Sequence, residues 1–146
     1  MTAPGSLLLA GAVGAVQLTR LEAILARRRE LAERYMRLLS EIAGVDVIAD
    51  PPYGRCNFQS FCIVLGDEFP VARDELLHAL KSDGIGATRG IMAAHVEPAY
   101  KGSGPFDLPV TEHLTAQSLI LPLFHDLTND DQDRVVDVIR RAATHR

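Results

Sequence analysis

The sequence predicts an α+β protein in which one long helix precedes a small domain of short strands and helices. Apolar residues recur at spacings of three and four from about residue 10 to residue 42, which is the period of an amphipathic helix. Short β-branched and aromatic runs then alternate with helical patterns over residues 45–146. The 146 residues, 47% of them hydrophobic and 23% charged, suit a single globular core without disulfide or metal staples.

The first predicted element is the long helix over residues 10–42. It divides the chain into a first segment, residues 1–44, and a second segment, residues 45–146. Helices in globular domains run roughly 8 to 20 residues. A longer apolar helix therefore needs a surface beyond its own small domain, and we expect it to pack against a separate polypeptide or against a second copy of the chain. Gly44 lies where a C-cap glycine is expected.

The same helix carries a run of three arginines, Arg27, Arg28 and Arg29. Glutamates lie beside them at helical spacings, so opposite charges alternate along the helix. This pattern predicts a solvated helix face rather than a phosphate-binding patch.

The second segment, residues 45–146, reads as the small α+β domain. Its patterns predict, in order, a strand at 45–48, a strand at 60–65, a helix at 70–82, a strand at 85–91, a helix at 110–118, a strand at 119–121 and a helix at 128–145. The strand, helix and strand between residues 60 and 91 are half of a split βαβ arrangement. Thr128 and the acidic residues after it are typical of a helix N-terminus.

Composition excludes several classes of protein. A formal charge of −4 argues against a protein that binds nucleic acid through a broad basic surface. Cys56 and Cys62 are six positions apart and match no zinc spacing, which favours reduced thiols in a cytoplasmic protein. The apolar stretch at residues 7–16 follows no Lys or Arg and falls short of the ~20 residues that span a bilayer, so we expect neither a signal peptide nor a membrane helix.

Few residues suggest chemistry on their own. The sequence contains neither a glycine-rich phosphate loop nor a nucleophile elbow, and we predict no catalytic residue and no metal site. Structural or surface roles are favoured for four histidines: His78, His113, His125 and His145. Arg89 and His95 lie in a predicted loop after a strand, where binding residues are frequent, and a binding role and a packing role both stay open for them.

An ordered set of short phrases resembles one known family. The phrases are VQLTRL at 16–21, ARRRELAERY at 26–35, QSF at 59–61, LKSDGIG at 80–86, RGIM at 89–92, HVEPAY at 95–100, LPVTE at 108–112 and LPLF at 121–124. In this order they resemble the C-terminal region of the DegT/DnrJ/StrS family of pyridoxal-phosphate-dependent sugar aminotransferases. The resemblance covers about residue 11 to the end.

The resemblance implies the small C-terminal domain of a fold-type I aminotransferase, with a short, mostly antiparallel sheet covered by helices. In that family the pyridoxal phosphate and its Schiff-base lysine belong to a large N-terminal domain. Neither Lys81 nor Lys101 matches the catalytic position. We therefore expect this chain to bind no pyridoxal phosphate and to be inactive alone.

The resemblance also implies substrate-binding roles for Arg89, His95 and Tyr100, because the corresponding loop reaches the sugar-nucleotide end of the active site. It implies as partners a large-domain polypeptide or a second copy docked on the long helix, and a nucleotide sugar once the enzyme is complete. Two alternatives stay open: a non-catalytic interaction module or remnant of a truncated aminotransferase, and a small-molecule sensor with a split βαβ core.

Overall fold

The protein is α+β, as predicted. The structure, a computed structural model, describes residues 4–100 and 102–144. Its elements are α1 (Pro4–Thr19), α2 (Leu21–Leu39), β1 (Val45–Val47), β2 (Phe61–Leu65), α3 (Arg73–Ser82), β3 (Thr88–Arg89), α4 (Pro109–Gln117), β4 (Ser118–Leu121) and α5 (Asn129–Thr144). Two single 3₁₀ turns, Ala94–Val96 and Pro98–Tyr100, lie between β3 and α4.

The four strands form one sheet in the order β1-β2-β4-β3, and every neighbouring pair is antiparallel. Phe61 of β2 pairs with Leu121 of β4, and Arg89 of β3 pairs with Leu119. Since β2 and β3 are both antiparallel to β4, they run parallel to each other with β4 between them. The sheet therefore contains the predicted split βαβ unit, with α3 as its crossover helix.

The core forms where helices cover this sheet. Tyr35 of α2 is fully buried, and its ring centroid lies 5.0 Å from that of Phe61. One continuous apolar cluster joins α2, the sheet, α3 and α5; it includes Leu31, Leu39, Ile63, Leu65, Leu76, Leu80, Leu119, Leu121, Val135, Val136 and Ile139. The spacing of these residues along α3 and α5 is the helical period that predicted both elements.

The prediction of one uninterrupted helix over residues 10–42 is wrong. The helix is interrupted at Arg20, and the axes of the two helices on either side differ by 57°. The hydroxyl of Thr19 donates to the Val16 carbonyl at 2.7 Å, and the Arg20 amide donates to the Gln17 carbonyl at 3.0 Å. Such three-residue bonds tighten the end of a helix and compete with the α-helical ladder.

The end of α2 also differs from the prediction. The helix ends at Leu39 with Ser40 as its C-cap, and a turn carries the chain to Gly44. Gly44 has a φ of +76°, and a Cβ built on it would lie 2.8 Å from the Phe69 amide nitrogen. Only glycine suits both its conformation and its close approach, although it is not the cap itself.

α1 is exposed and uncharged. Its sequence contains no Asp, Glu, Lys or Arg, and the exposed fractions of Leu9, Val13, Val16 and Leu18 are 70%, 58%, 61% and 68%. Among the described helices none is by itself long and apolar enough to cross a membrane; α1 and α2 pass that test only as a pair, by length and composition, across their 57° bend.

The expectation of a solvated face for the arginine run is wrong for two of its members. Arg27 donates through Nη2 to the Leu127 carbonyl at 2.8 Å and through Nε to the His125 carbonyl at 3.3 Å. Arg29 donates to the Cys56 carbonyl at 3.2 Å. A guanidinium group has five N–H donors. Arg27 and Arg29 use some of theirs to bind carbonyl groups of loops, which have no partner in the sheet.

Replacing Tyr35 by Phe should leave the free energy of unfolding unchanged or raise it by up to about 1 kcal/mol. The Tyr35 hydroxyl is buried without a hydrogen-bond partner among the described residues, and burial raises its pKa above the ordinary value. Urea denaturation would measure the effect, with Tyr53→Phe, at a 91% exposed position, as the control. A loss above 1 kcal/mol for Tyr35→Phe would show that the hydroxyl is paired.

Candidate functional site

The candidate site begins where β3 leaves the sheet. The strand predicted at 85–91 is observed only as Thr88–Arg89, and the buried Ser118 at the start of β4 binds the amides of the two residues that follow it. The Gly90 amide donates to the Ser118 carbonyl at 3.0 Å, and the Ile91 amide donates to the Ser118 hydroxyl at 2.8 Å. The side chain of Ser118 thus ends the ladder and fixes the start of the loop that carries His95 and Tyr100.

Arg89 lies at the end of β3 and is paired with α3. Its Nη2 donates to Asp74 Oδ2 at 2.7 Å, while Arg73 Nε donates to Asp74 Oδ1 at 2.9 Å. Arg73 also donates to the Thr115 carbonyl at the end of α4. Hydrogen bonds from Arg73 and then Arg89 hold the pKa of Asp74 below its usual value. A single carboxylate therefore bridges two guanidinium groups and ties together α3, β3 and α4.

His95 is packed rather than free. Its ring centroid lies 5.8 Å from that of Phe106, its Nε2 is 3.2 Å from Glu112 Oε1, and its side chain is 10% exposed. A carboxylate only accepts hydrogen bonds, so this contact places a proton on Nε2. His95 consequently fastens the loop to the first turn of α4.

Tyr100 ends the second 3₁₀ turn and is 51% exposed. In the described parts of the chain, Arg89 bonds to α3 and His95 bonds to α4, so these two predicted site residues have separate partners. Arg89, expected in the loop, instead ends β3, whereas His95 and Tyr100 lie in the loop that follows, and the described residues do not join the three in a single hydrogen-bonded cluster.

Sequence reasoning missed Asp74 and Ser118, the residues that position Arg89 and the loop. Asp74 lies in the first turn of α3, where an acidic residue interacts favourably with the helix dipole. Its presence there is explained by the helix alone, so the sequence gives no further indication that it binds Arg89. Ser118 lies between a predicted helix and a predicted strand. Its role depends on the antiparallel pairing of β3 with β4, which the sequence does not specify.

Arg89 lines an open groove of about 500 Å³ between α3 and β3. We call it the Arg89 groove; its other lining residues are Asp74, Leu77, His78, Lys81, Ile85, Gly86 and Ala87. It contains a lysine, yet it does not fit pyridoxal phosphate. Lys81 is exposed, and none of the lining residues offers a phenyl, phenol or indole ring for the pyridine to stack on. Lys101 lies outside the described residues.

Within the described residues, no group of three or more His, Cys, Asp or Glu side chains is placed to hold a metal ion. Cys56 and Cys62 are free thiols. Burial raises the pKa of Cys62, and its hydrogen bond with Ser118 opposes that shift. A protonated thiol on a central strand is suited to packing rather than to nucleophilic chemistry.

A second feature of this region is its exposed apolar surface. The loop after β3 and the start of α4 expose six apolar side chains, which we call the loop surface: Ile91, Met92, Val96, Phe106, Leu108 and Val110. Met92 is 82% exposed and Val110 is 71% exposed. Extended apolar patches of this kind are typical of interfaces.

Solved structures identify the class of protein to which this fold belongs. The aminotransferase TlmJ from Streptoalloteichus hindustanus is 29% identical and superposes with a TM-score of 0.80, over 91% of this chain and 35% of its own. DesV of S. venezuelae, solved in complex with a ketimine intermediate, is 29% identical with a TM-score of 0.81, over 92% of this chain and 36% of its own. The fold is therefore that of part of an aminotransferase.

DesI, solved in the presence of its TDP-sugar product, is also 29% identical, with a TM-score of 0.84 over 93% of this chain and 35% of its own. This chain thus spans about a third of the length of the aminotransferases that it matches. The model of the DegT/DnrJ/EryC1/StrS aminotransferase family matches residues 8–140. The chain belongs to that family, and the resemblance found in the sequence is confirmed.

Replacing Gly90 by Ala should lower the free energy of unfolding by about 1 to 3 kcal/mol. An added Cβ would lie 2.7 Å from the Ser118 Cβ and 2.9 Å from its carbonyl carbon, so the two strands would have to separate. Gly86→Ala is the matched control, because a Cβ there meets nothing within 4 Å. Chemical denaturation of both variants tests this, and equal stabilities would contradict the tight β3 and β4 pairing.

Replacing Arg89 by Ala should raise the pKa of Asp74 toward the ordinary carboxyl value, while Arg73 keeps it lower than that value. A carboxyl whose pKa is depressed by folding stabilises the fold above its unfolded pKa and loses that effect as pH falls through the folded pKa. NMR titration of the Asp74 carboxyl carbon measures the shift. Arg140→Ala, which removes the partner of Glu41, is the control. An unchanged Asp74 titration would disprove the bridge.

Proposed function

We propose that this chain forms the C-terminal part of a nucleotide-sugar aminotransferase, an enzyme that transfers an amino group to a keto sugar. The observation that carries the proposal is the superposition of more than 90% of the chain on about a third of DesI, DesV and TlmJ. The remaining two-thirds of such an enzyme would supply the pyridoxal phosphate and the lysine that binds it, which is supported by the Arg89 groove's lack of an aromatic ring for the cofactor to stack on.

α1 is the proposed docking surface for that large domain. The family match begins at residue 8 and so includes α1, and each aminotransferase that the chain superposes on continues well beyond the matched third. A helix that is apolar on all sides is stable only when it is surrounded. The uncharged, exposed α1 has this character, and the loop surface offers a second apolar patch.

Arg89 is the proposed ligand of an anionic group of the substrate. A guanidinium binds carboxylates and phosphates through charge-assisted hydrogen bonds, each contributing about 1.5 to 3 kcal/mol. His95, fixed between Phe106 and Glu112, positions the loop, and the exposed Tyr100 offers a hydroxyl to the same substrate. Free cysteines suit a reducing compartment, so we assign the reaction to the cytoplasm.

Co-expression tests the function. We expect this chain to co-purify with the polypeptide segment that supplies the large domain, and the complex to transfer an amino group to a nucleotide-linked keto sugar. Arg89→Ala should raise KM by about tenfold or more, with less effect on kcat, through the lost hydrogen bond. If Arg89→Ala leaves the activity of the complex unchanged, Arg89 does not bind the substrate as proposed.

Two matched variants test the docking surface. Val13→Asp places a charge on α1 and should abolish co-purification, whereas Glu30→Gln, on the exposed side of α2, should leave it intact. This chain alone, mixed with pyridoxal phosphate, should keep no visible absorption band after dialysis. If the large-domain segment fails to bind, the chain is better described as a non-catalytic interaction module.

A further inference from the structure

One edge of the sheet has backbone groups without a partner. β3 is the last strand in the order β1-β2-β4-β3, so only one of its sides is paired. The Gly90 amide donates to the Ser118 carbonyl, and Thr88 pairs with β4 two residues earlier, so the backbone groups of both point toward β4. Backbone groups alternate in direction along a strand. Those of Ala87 and Arg89 therefore point outward, and within the described residues no backbone group pairs with them.

One side of α3 faces this edge. Its residues occur at spacings of three and four, which places them on one stripe of the helix: Asp74, Leu77, His78 and Lys81. This stripe on one side, and residues 85–87 with Arg89 on the other, line the Arg89 groove. Arg89 bonds to Asp74 near the start of α3, and the Ile85 amide donates to the Leu80 carbonyl near its end. The stripe is about 10 Å long, which is room for about three residues of extended chain.

The groove presents more positive than negative charge. The Arg89 side chain is 66% exposed, and of its donors only Nη2 has a partner in the described residues. Lys81 is exposed and forms no ion pair within that part of the chain. Asp74, the carboxylate of the lining, is already bonded to Arg73 as well as to Arg89. Leu77 lies between the two ends, so the charge of the groove suits an acidic occupant with an apolar centre.

We propose that the outer edge of β3 binds an acidic, extended segment of a separate polypeptide as an added antiparallel strand. The backbone of that segment pairs with the outward groups of Ala87 and Arg89, as in other cases of strand addition to a sheet edge. Arg89 lies opposite the buried Leu119, so its side chain is on the face of the sheet that the helices cover. Side chains of the segment that lie opposite Ala87 and Arg89 point to the same face and so toward α3.

This geometry defines the sequence pattern of the segment. Every second side chain enters the groove, opposite Arg89, Ala87 and Ile85 in turn. The first meets the Arg89 guanidinium, the second meets Leu77, and the third meets the end of α3 that carries Lys81. The pattern is therefore acidic, any residue, apolar, any residue, acidic.

A second copy of this chain is a poorer occupant of the same edge. Pairing of two β3 strands edge to edge would bring the Arg89 and Lys81 side chains of both chains to one interface. Like charges placed opposite each other across two strands are destabilising. The charge of the groove thus favours a different, acidic polypeptide.

Binding of a synthetic peptide to this chain alone tests the proposal. The probe is Thr-Glu-Thr-Val-Thr-Glu-Thr, acetylated and amidated at its ends. We expect saturable binding by calorimetry and slower hydrogen exchange of the Ala87 and Arg89 amides, because both gain a partner. An N-methyl group on the Val amide, which faces β3, should weaken binding by about tenfold or more. The same group on the amide of the Thr that follows Val, which faces away, is the matched control and should have little effect.

Variants of the chain separate strand addition from general charge attraction. Arg89→Gln and Lys81→Gln should each weaken binding by about threefold. Arg140→Gln, which removes an arginine paired with Glu41 outside the groove, should leave binding unchanged. Ala87→Pro removes an outward amide and keeps the pairing with β4, so it should abolish binding. If Ala87→Pro does not fold, the two N-methylated peptides decide the question.

Three results would overturn the proposal: no saturable binding, equal weakening by Arg89→Gln and Arg140→Gln, or equal weakening by the two N-methyl groups. Self-association of this chain that Ala87→Pro removes, with no binding of the peptide, would identify a second copy as the occupant instead.

The added strand would also engage Arg89, the proposed ligand of the substrate. The peptide should therefore raise KM for the sugar nucleotide in an active complex, and this consequence alone rests on the proposed function. Peptide binding is measured on this chain without the large domain, whereas amino transfer is measured on the complex. A chain that binds the peptide but forms an inactive complex would support the interaction and contradict the function. An active complex whose chain does not bind the peptide would do the opposite.

Discussion

The packing of α2 across β2 and α5 is the interaction on which the rest of the structure depends. Tyr35 stacks on Phe61, and the side chain of the buried Gln132 donates through Nε2 to the Leu31 carbonyl at 2.9 Å. Arg34 adds a two-oxygen contact to Asp133 of α5, at 2.9 and 2.8 Å. Because α2 contacts both β2 and α5, it stays packed on one face of the sheet. This packing fixes the position of the sheet whose edge strand β3 carries Arg89.

Most of the fold could be predicted from hydrophobic periodicity. The strand at Phe61–Leu65 is a short run of β-branched and aromatic residues and the helix at Arg73–Ser82 has an apolar period of 3.6; the structure buries most of the first and the apolar face of the second. The break at Arg20 could not be predicted this way. It depends on the local hydrogen bond of Thr19 and on the exposure of α1 in the described chain. The spacing of apolar residues indicates neither of these.

The site was predictable in part, for a related reason. His95 is a polar residue in a loop after a strand, and that position favoured it; Arg89 was expected in the same loop but ends β3. Their partners, Asp74 and Glu112, lie 15 and 17 residues away in the sequence, and only the folded chain brings each pair together. The arginine run shows the same limit, since Arg27 bonds to carbonyls about 100 residues distant, while its neighbouring glutamates indicated only a solvated face.

The N-terminal helix α1 and the rest of the chain differ in how far their apolar residues are buried. Residues from Leu31 to Ile139 form one buried apolar cluster, whereas α1 exposes an uncharged surface that the rest of the described chain leaves uncovered. The bend at Arg20 separates these two parts, with the buried cluster on one side of it and the exposed apolar helix on the other. Under the proposed function this division has a use, because the core stays buried while the exposed helix remains available to the proposed large domain.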